Sequence, residues 1–129
     1  MKKIAFLSEN TKRAKEISMV LSEEFNVAYA DLKSGAVDDD ITAAIVYIGD
    51  ISTLDRFRIV LQTLAKQCPV LLIAKWTNFT EYLAALQTGI RAMISLPIAS
   101  KQLASLLSLI IDARFSGVHV SDGGMVFRF

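Results

Sequence analysis

The chain has 129 residues, of which 53% are hydrophobic, and its mean hydropathy is +0.42. This length and composition suit one compact domain with a generous core, and they exclude intrinsic disorder of the whole chain. The 14 basic and 13 acidic residues give a net charge of +1, which offers no electrostatic footprint for nucleic acid. We therefore expect no direct binding of nucleic acid by this chain.

The sequence also carries few signals for export or membranes. The opening MKKIAFLSEN has four apolar residues before Ser8, too few for a signal peptide. No apolar run approaches the roughly 18 residues of a membrane span. The single cysteine, Cys68, excludes an internal disulfide and fits a reducing compartment. We expect a cytoplasmic protein without a membrane partner.

The first part of the chain predicts two strands around one helix. Ile4–Leu7 is a short apolar run, typical of a buried parallel strand. From Thr11 to Glu24 apolar residues recur at helical spacing, after Asn10 or Thr11 as the cap. The polar face of this helix carries Lys12, Arg13, Lys15, Glu16 and Glu23. Asn26–Ala30 is the second strand, and Asp31–Asp40 is a loop with at most a short helix.

The second part continues the alternation of strands and helices. The predicted strands are Ala43–Ile48, Pro69–Ala74 and a short fifth one, placed at Ile90–Ile94 with Ala92–Ser95 in it. The predicted helices run from Ser52 or Thr53 to about Lys66, from Phe79 to Thr88, and from Ala99 or Ser100 to about Phe115. We predict an α/β fold: a five-stranded parallel sheet in the flavodoxin-like order 2-1-3-4-5, with helices on both faces.

The stretch Leu86–Pro97 contains two residues that end regular secondary structure. Gly89 stands where a left-handed residue ends a helix, and Pro97 follows the last strand, whose ladder it cannot continue. Leu96 is thereby placed at the carboxyl edge of the sheet, where open α/β sheets bind ligands. This position is neither charged nor polar.

The end of the chain has a different pattern. Apolar residues bracket the turn Ser121–Gly124, which predicts a C-terminal β-hairpin or extended tail. We therefore divide the chain into a domain of residues 1–116 and a tail of residues 117–129. Because an isolated hairpin is marginally stable, the tail must pack on the domain, on a partner or on a further domain.

Over residues 2–116 the chain resembles the receiver domain of two-component response regulators. The resemblance rests on the five β units, the Gly89 stop, the Pro97 turn and the closing segment ALQTGIRAMISLPIASKQLASLL. It implies an acidic cluster that binds Mg²⁺ and an aspartate that accepts a phosphoryl group. It also implies a hydroxyl and a lysine that stabilise the phosphoryl charge.

The residues at these positions depart from the family pattern. The acidic pair falls on Ser8-Glu9 or Glu9-Asn10, and the phosphoacceptor on Tyr47 or Ile48. The hydroxyl falls on Ala74 or Lys75, and the lysine on Leu96, whereas Pro97 matches the family's proline. The chain therefore looks like a degenerate pseudo-receiver, a non-catalytic module without a cofactor. In the alternative, Glu9 and Asp50 bind Mg²⁺ and the domain responds to phosphate or a small ligand, with Lys75 as a further contact.

The last helix has more apolar surface than a covering helix needs. One stripe holds Leu103, Leu106, Leu107 and Ile110, and Ala104, Leu109, Ile111 and Ala113 widen it. The surplus predicts a second buried surface, against either the tail or another subunit. We expect a homodimer whose interface includes Leu103, Ala104, Leu107, Leu109, Ile111, Val118 and Val120. The family resemblance also implies a dimer face there.

The remaining chemistry-bearing residues form no recognisable site. His119 and Cys68 are too few for a zinc site. Lys75 and Trp76 either pack over a loop or cover the vacated pocket, where they could bind a nucleotide or a partner. We expect the regulatory amino-terminal part of a longer regulator, whose attached output could be a DNA-binding domain or an ATPase of the cell-pole targeting type. A stand-alone scaffold is the third possibility.

Overall fold

The computed structural model describes residues 2–35, 37–49, 54–75, 79–94, 100–112, 118–121 and 124–127. In these ranges the strands are β1 (Lys3–Ser8), β2 (Asn26–Asp31), β3 (Ala43–Ile48), β4 (Val70–Ala74), β5 (Ala92–Ile94), β6 (Val118–Ser121) and β7 (Gly124–Phe127). The helices are α1 (Thr11–Ser18), α2 (Leu54–Gln67), α3 (Phe79–Leu86) and α4 (Ser100–Asp112). A 3₁₀ turn over Met19–Glu23 follows α1, where the sequence predicted a continuous helix to Glu24.

The strands form one sheet in the order β2-β1-β3-β4-β5-β6-β7. Neighbouring strands from β2 to β6 pair in parallel. The predicted five-stranded order 2-1-3-4-5 is therefore confirmed. In the register of the sheet Ser8 pairs with Tyr47, and Ile48 pairs with Ala74. The carboxyl ends of β1, β3 and β4 consequently meet at one edge.

Two apolar cores cover the two faces of the sheet, because successive side chains of a strand point to opposite faces. One core joins α1 and α4 to Ile4, Phe6, Ile45 and Leu71. The other joins α2 and α3 to Leu7, Val46 and Leu72. In α2 the buried residues are the four that helical spacing predicts: Leu54, Phe57, Leu61 and Leu64. The prediction of helices on both faces is confirmed.

The connection between β2 and β3 is a loop in its described residues, 32–35 and 37–42. Leu32 and Ile41 are buried and close this part of the core. Lys3 Nζ contacts the Asp38 and Asp40 carboxylates at 2.5 and 3.4 Å, and the Gln67 amide donates to the Asp38 carbonyl at 3.1 Å. A loop covers β2 less fully than a helix would, and every β2 residue is half-buried or exposed.

The C-terminal hairpin forms as the sequence predicted and extends the sheet. β6 pairs with β5 in parallel, with Val118 opposite Ala92 and Val120 opposite Ile94. β7 then returns antiparallel to β6. In this chain the hairpin therefore lies against the domain's own β5 edge. The division at residue 117 into a domain and a tail stays a prediction.

Gly89 ends the α3 segment in the conformation that the sequence predicted. Its φ is +93°, a backbone geometry that costs L side chains energy. A Cβ at this position would also lie 3.1 Å from the Ala65 Cβ on α2. Leu96 and Pro97, which follow β5, lie outside the described residues.

Replacing Gly89 with Ala should destabilise the fold. We expect the strained backbone and the contact with Ala65 to lower the free energy of unfolding by about 1–2 kcal/mol or more in urea titrations. Gly49→Ala is the matched control, since a Cβ there meets nothing within 4 Å, and it should stay within about 0.5 kcal/mol of wild type. Equal losses in the two variants would contradict the role assigned to Gly89.

Candidate functional site

A cavity of about 470 Å³ lies at the sheet edge where β1 and β3 end. Its polar wall includes Ser8, Glu9, Asn10, Arg13 and Tyr47. Its apolar floor includes Leu32, Ile48 and Phe57. The cavity thus gathers the predicted positions Ser8, Glu9, Tyr47 and Ile48. This is also the edge at which open parallel sheets bind ligands.

Ser8 is buried and its hydroxyl is engaged locally. Ser8 Oγ accepts from the Asn10 amide at 2.9 Å and donates to the Asn10 carbonyl at 3.1 Å. Asn10 in turn caps α1, because its Oδ1 accepts from the Arg13 amide at 3.1 Å. The first of the two predicted acidic positions therefore holds a neutral hydroxyl. Its hydrogen bonds to the Asn10 backbone stabilise the turn that leads into α1.

Glu9 faces a cation instead of a second carboxylate. Its Oε1 lies 3.8 Å from Arg56 Nη2 on α2, and both side chains are well exposed, so the pair is weak. The Arg56 guanidinium also lies 5.4 Å from the centre of the Phe57 ring. No group of three or more His, Cys, Asp or Glu that could hold a metal occurs among the described residues. Asp50, the other residue of the magnesium alternative, lies outside them.

Tyr47 stands at one of the two predicted phosphoacceptor positions. It is half-buried and lies beside Arg13. The Tyr47 hydroxyl first, and the Glu16 carboxylate at 3.3 Å second, raise the pKa of the Arg13 guanidinium. Ile48, the other position, is a buried aliphatic residue, 3% exposed. Neither side chain can form an acyl phosphate, which requires a carboxylate.

Arg13 is the residue of this site that the sequence analysis missed. The helical pattern places it on the polar face of α1, and it is indeed half-exposed. It nevertheless reaches the cavity, because it lies in the first turn of the helix that starts directly after β1. The signal available in the sequence was a cation three residues past the cap Asn10, at the ligand-binding edge of the sheet.

The predicted hydroxyl position at the end of β4 has no hydroxyl. Ala74 is fully buried, and Lys75 after it is exposed and is not among the described residues that line the cavity. Trp76 and the two positions Leu96 and Pro97 are not described. What the structure brings together is therefore Ser8, Glu9, Arg13, Tyr47 and Ile48.

The predicted interface on the last helix is corrected in part. Leu103, Ala104 and Leu107 are 0%, 6% and 0% exposed and pack against the chain's own sheet. Their stripe faces the core, so they fill that core rather than a subunit surface. Leu109 and Ile111 are half-buried at its margin. Val118 and Val120 lie on β6, whose backbone pairs with β5.

No protein-family model matches the chain, and no curated protein matches it. Solved structures do resemble it. One is a protein from Burkholderia thailandensis that is assigned to pilus assembly (CpaE). Its structure matches with a TM-score of 0.72 and 15% identity, and the match covers 88% of this chain and 100% of that one. A signal receiver domain of a two-component histidine kinase from Clostridium thermocellum has a TM-score of 0.68 and 17% identity, with 87% and 98% covered.

A third similar structure contains a phosphorylated residue. It is a response regulator from Burkholderia pseudomallei with a phosphorylated aspartic acid, a calcium ion and citrate, with a TM-score of 0.64 and 12% identity, covering 88% of this chain and 68% of that one. These likenesses establish the fold: the protein has the CheY-like fold of response-regulator receiver domains. The resemblance predicted from the sequence is confirmed at that level. None of the described helices is long and apolar enough to cross a membrane.

Proposed function

We propose that the chain is a pseudo-receiver, a non-catalytic signalling module that works through protein–protein contacts instead of phosphorylation. One observation carries this proposal. β3 ends in Tyr47 and Ile48 where a receiver would present a carboxylate to a metal ion, and Tyr47 lines the same cavity as the Arg13 side chain. The fold supports a signalling role, and the chemistry of the site argues against a phosphoryl switch.

The described residues of the site depart from receiver chemistry in ways that support this proposal. Phosphoryl transfer to a receiver needs a carboxylate nucleophile and hard oxygen ligands for Mg²⁺. Here Ser8 is neutral and its hydroxyl is fully engaged, and the Glu9 carboxylate faces Arg56. Binding Mg²⁺ through Glu9 would place a divalent cation near a guanidinium, which like-charge repulsion disfavours.

We propose further that the module is the regulatory part of a longer regulator and forms a homodimer through α4. The half-buried Leu109 and Ile111 support this, because they add apolar surface beside a helix stripe that already fills the core. The fold likeness to a protein assigned to pilus assembly favours an assembly or localisation role for the output. A stand-alone scaffold would have the same fold but no such output.

Incubation with a small phosphodonor and Mg²⁺ should leave the intact mass of the protein unchanged. Beryllofluoride with Mg²⁺ mimics an acyl phosphate on a carboxylate, and up to millimolar concentrations it should not change the fluorescence of Trp76, the only tryptophan. A receiver with an intact aspartate is the positive control for both reagents. A saturable change that Asp50→Asn abolishes would overturn the proposal and establish the phosphate-responsive alternative.

Charge on the margin of α4 should dissociate the dimer. Leu109→Glu and Ile111→Glu should each weaken self-association about tenfold or more, read as solution mass by sedimentation, since a charge buried in an interface is costly. Ile59→Glu is the control, because Ile59 on α2 is 77% exposed on the other face of the sheet. Circular dichroism checks that each variant is folded. A folded variant pair with unchanged mass, or a monomeric wild type, would contradict the dimer.

A further inference from the structure

The cavity at the ends of β1 and β3 combines features that protein–protein contact through α4 does not use. Three apolar residues, Leu32, Ile48 and Phe57, line it, and only their edges reach its surface, since each is at most 4% exposed. Two polar residues, Arg13 and Tyr47, also line it. Its volume of about 470 Å³ falls within the roughly 300–1,000 Å³ of small-molecule sites.

The charges around the cavity define which ligand it favours. Glu9 faces Arg56 at 3.8 Å, so its carboxylate already has a cation nearby. Arg13 pairs with Glu16 at 3.3 Å, but this contact is an exposed one between neighbouring turns of α1 and is weak. A guanidinium has five N–H donors in a planar fork, so Arg13 can still bind a second anion. The Tyr47 hydroxyl can donate to the same anion.

We propose that this cavity binds a small organic anion with an apolar body. The body would lie on the floor of Leu32, Ile48 and Phe57, and the anionic group, a carboxylate, sulfonate or phosphate, would bind Arg13 and Tyr47. The binding is non-covalent. The inference rests on the proposed function, because in a working receiver the phosphoryl group and Mg²⁺ would occupy this same cavity. It adds a ligand through which the module could be regulated.

The test uses two fluorescent probes that differ in one charge. Anilinonaphthalene sulfonate has an aromatic body and an anionic group, whereas N-phenylnaphthylamine has the same kind of body without the sulfonate. The full chain should bind the sulfonate with one-to-one stoichiometry and at least about tenfold more tightly than the neutral probe. Equal affinities, or no saturable binding of the sulfonate, would overturn the proposal.

Three exposed substitutions on α1 locate the site without risk to the core. Arg13→Gln should weaken binding of the sulfonate about tenfold, and its matched control Lys12→Gln should leave it unchanged, because Lys12 is not among the residues lining the cavity. Glu16→Gln should strengthen binding about two- to threefold by releasing Arg13 from its surface pair. If Lys12→Gln weakens binding as much as Arg13→Gln, the probe reads surface charge and the proposal fails.

The readouts separate this inference from the proposed function. If the full chain does not bind the sulfonate probe and its mass does not increase on incubation with a phosphodonor, the proposed ligand is wrong and the pseudo-receiver proposal still holds. Phosphoryl transfer that Asp50→Asn abolishes would refute the pseudo-receiver, whatever the probe does. Displacement of the bound sulfonate by inorganic phosphate alone, at concentrations comparable to the probe, would show that the apolar floor contributes nothing and would overturn the stated ligand class.

Discussion

The parallel pairing of β1 with β3 is the constraint on which the site depends. It sets Ser8 level with Tyr47, so the turn into α1 and the end of β3 share one edge of the sheet. Backbone hydrogen bonds fix this register, and a slip of one residue would turn every apolar side chain of a strand to the other face. The geometry of the edge therefore persists whatever side chains occupy it, and its chemistry can change without loss of the fold.

The described side chains at this edge differ from those with which a receiver binds a cation. A receiver concentrates carboxylates here so that Mg²⁺ can neutralise a phosphoryl group. In this chain Ser8 contributes a turn, Glu9 faces Arg56, and Tyr47 lies against Arg13. Each of these residues satisfies a neighbour within the chain. Contacts of this kind lower the repulsion that an unneutralised cluster of carboxylates would have at the same edge.

Hydrophobic pattern was sufficient to predict the strands, their order and the helices on both faces of the sheet, because burial follows periodicity. Gly89 was predictable since few residues other than glycine tolerate its φ of +93°. The partner of an apolar face was not predictable: Leu103 and Leu107 fill the chain's own core, although their stripe alone fits a dimer equally well. Arg13 was missed because a long, half-exposed side chain can leave the polar face of its helix and reach a cavity.

The hairpin and the β2–β3 loop give the two edges of the sheet different characters. At β5 the strands β6 and β7 continue the ladder, so an edge that a partner could use is already paired within the chain. At the opposite side β2 is the edge strand, and a loop anchored by Lys3, Asp38 and Gln67 lies where a helix would cover it more fully. On this side the edge strand of the sheet is therefore β7 and not β5. The dimer that we propose through α4 would instead rest on the half-buried Leu109 and Ile111 at the margin of that helix, apart from the strand edge at β7.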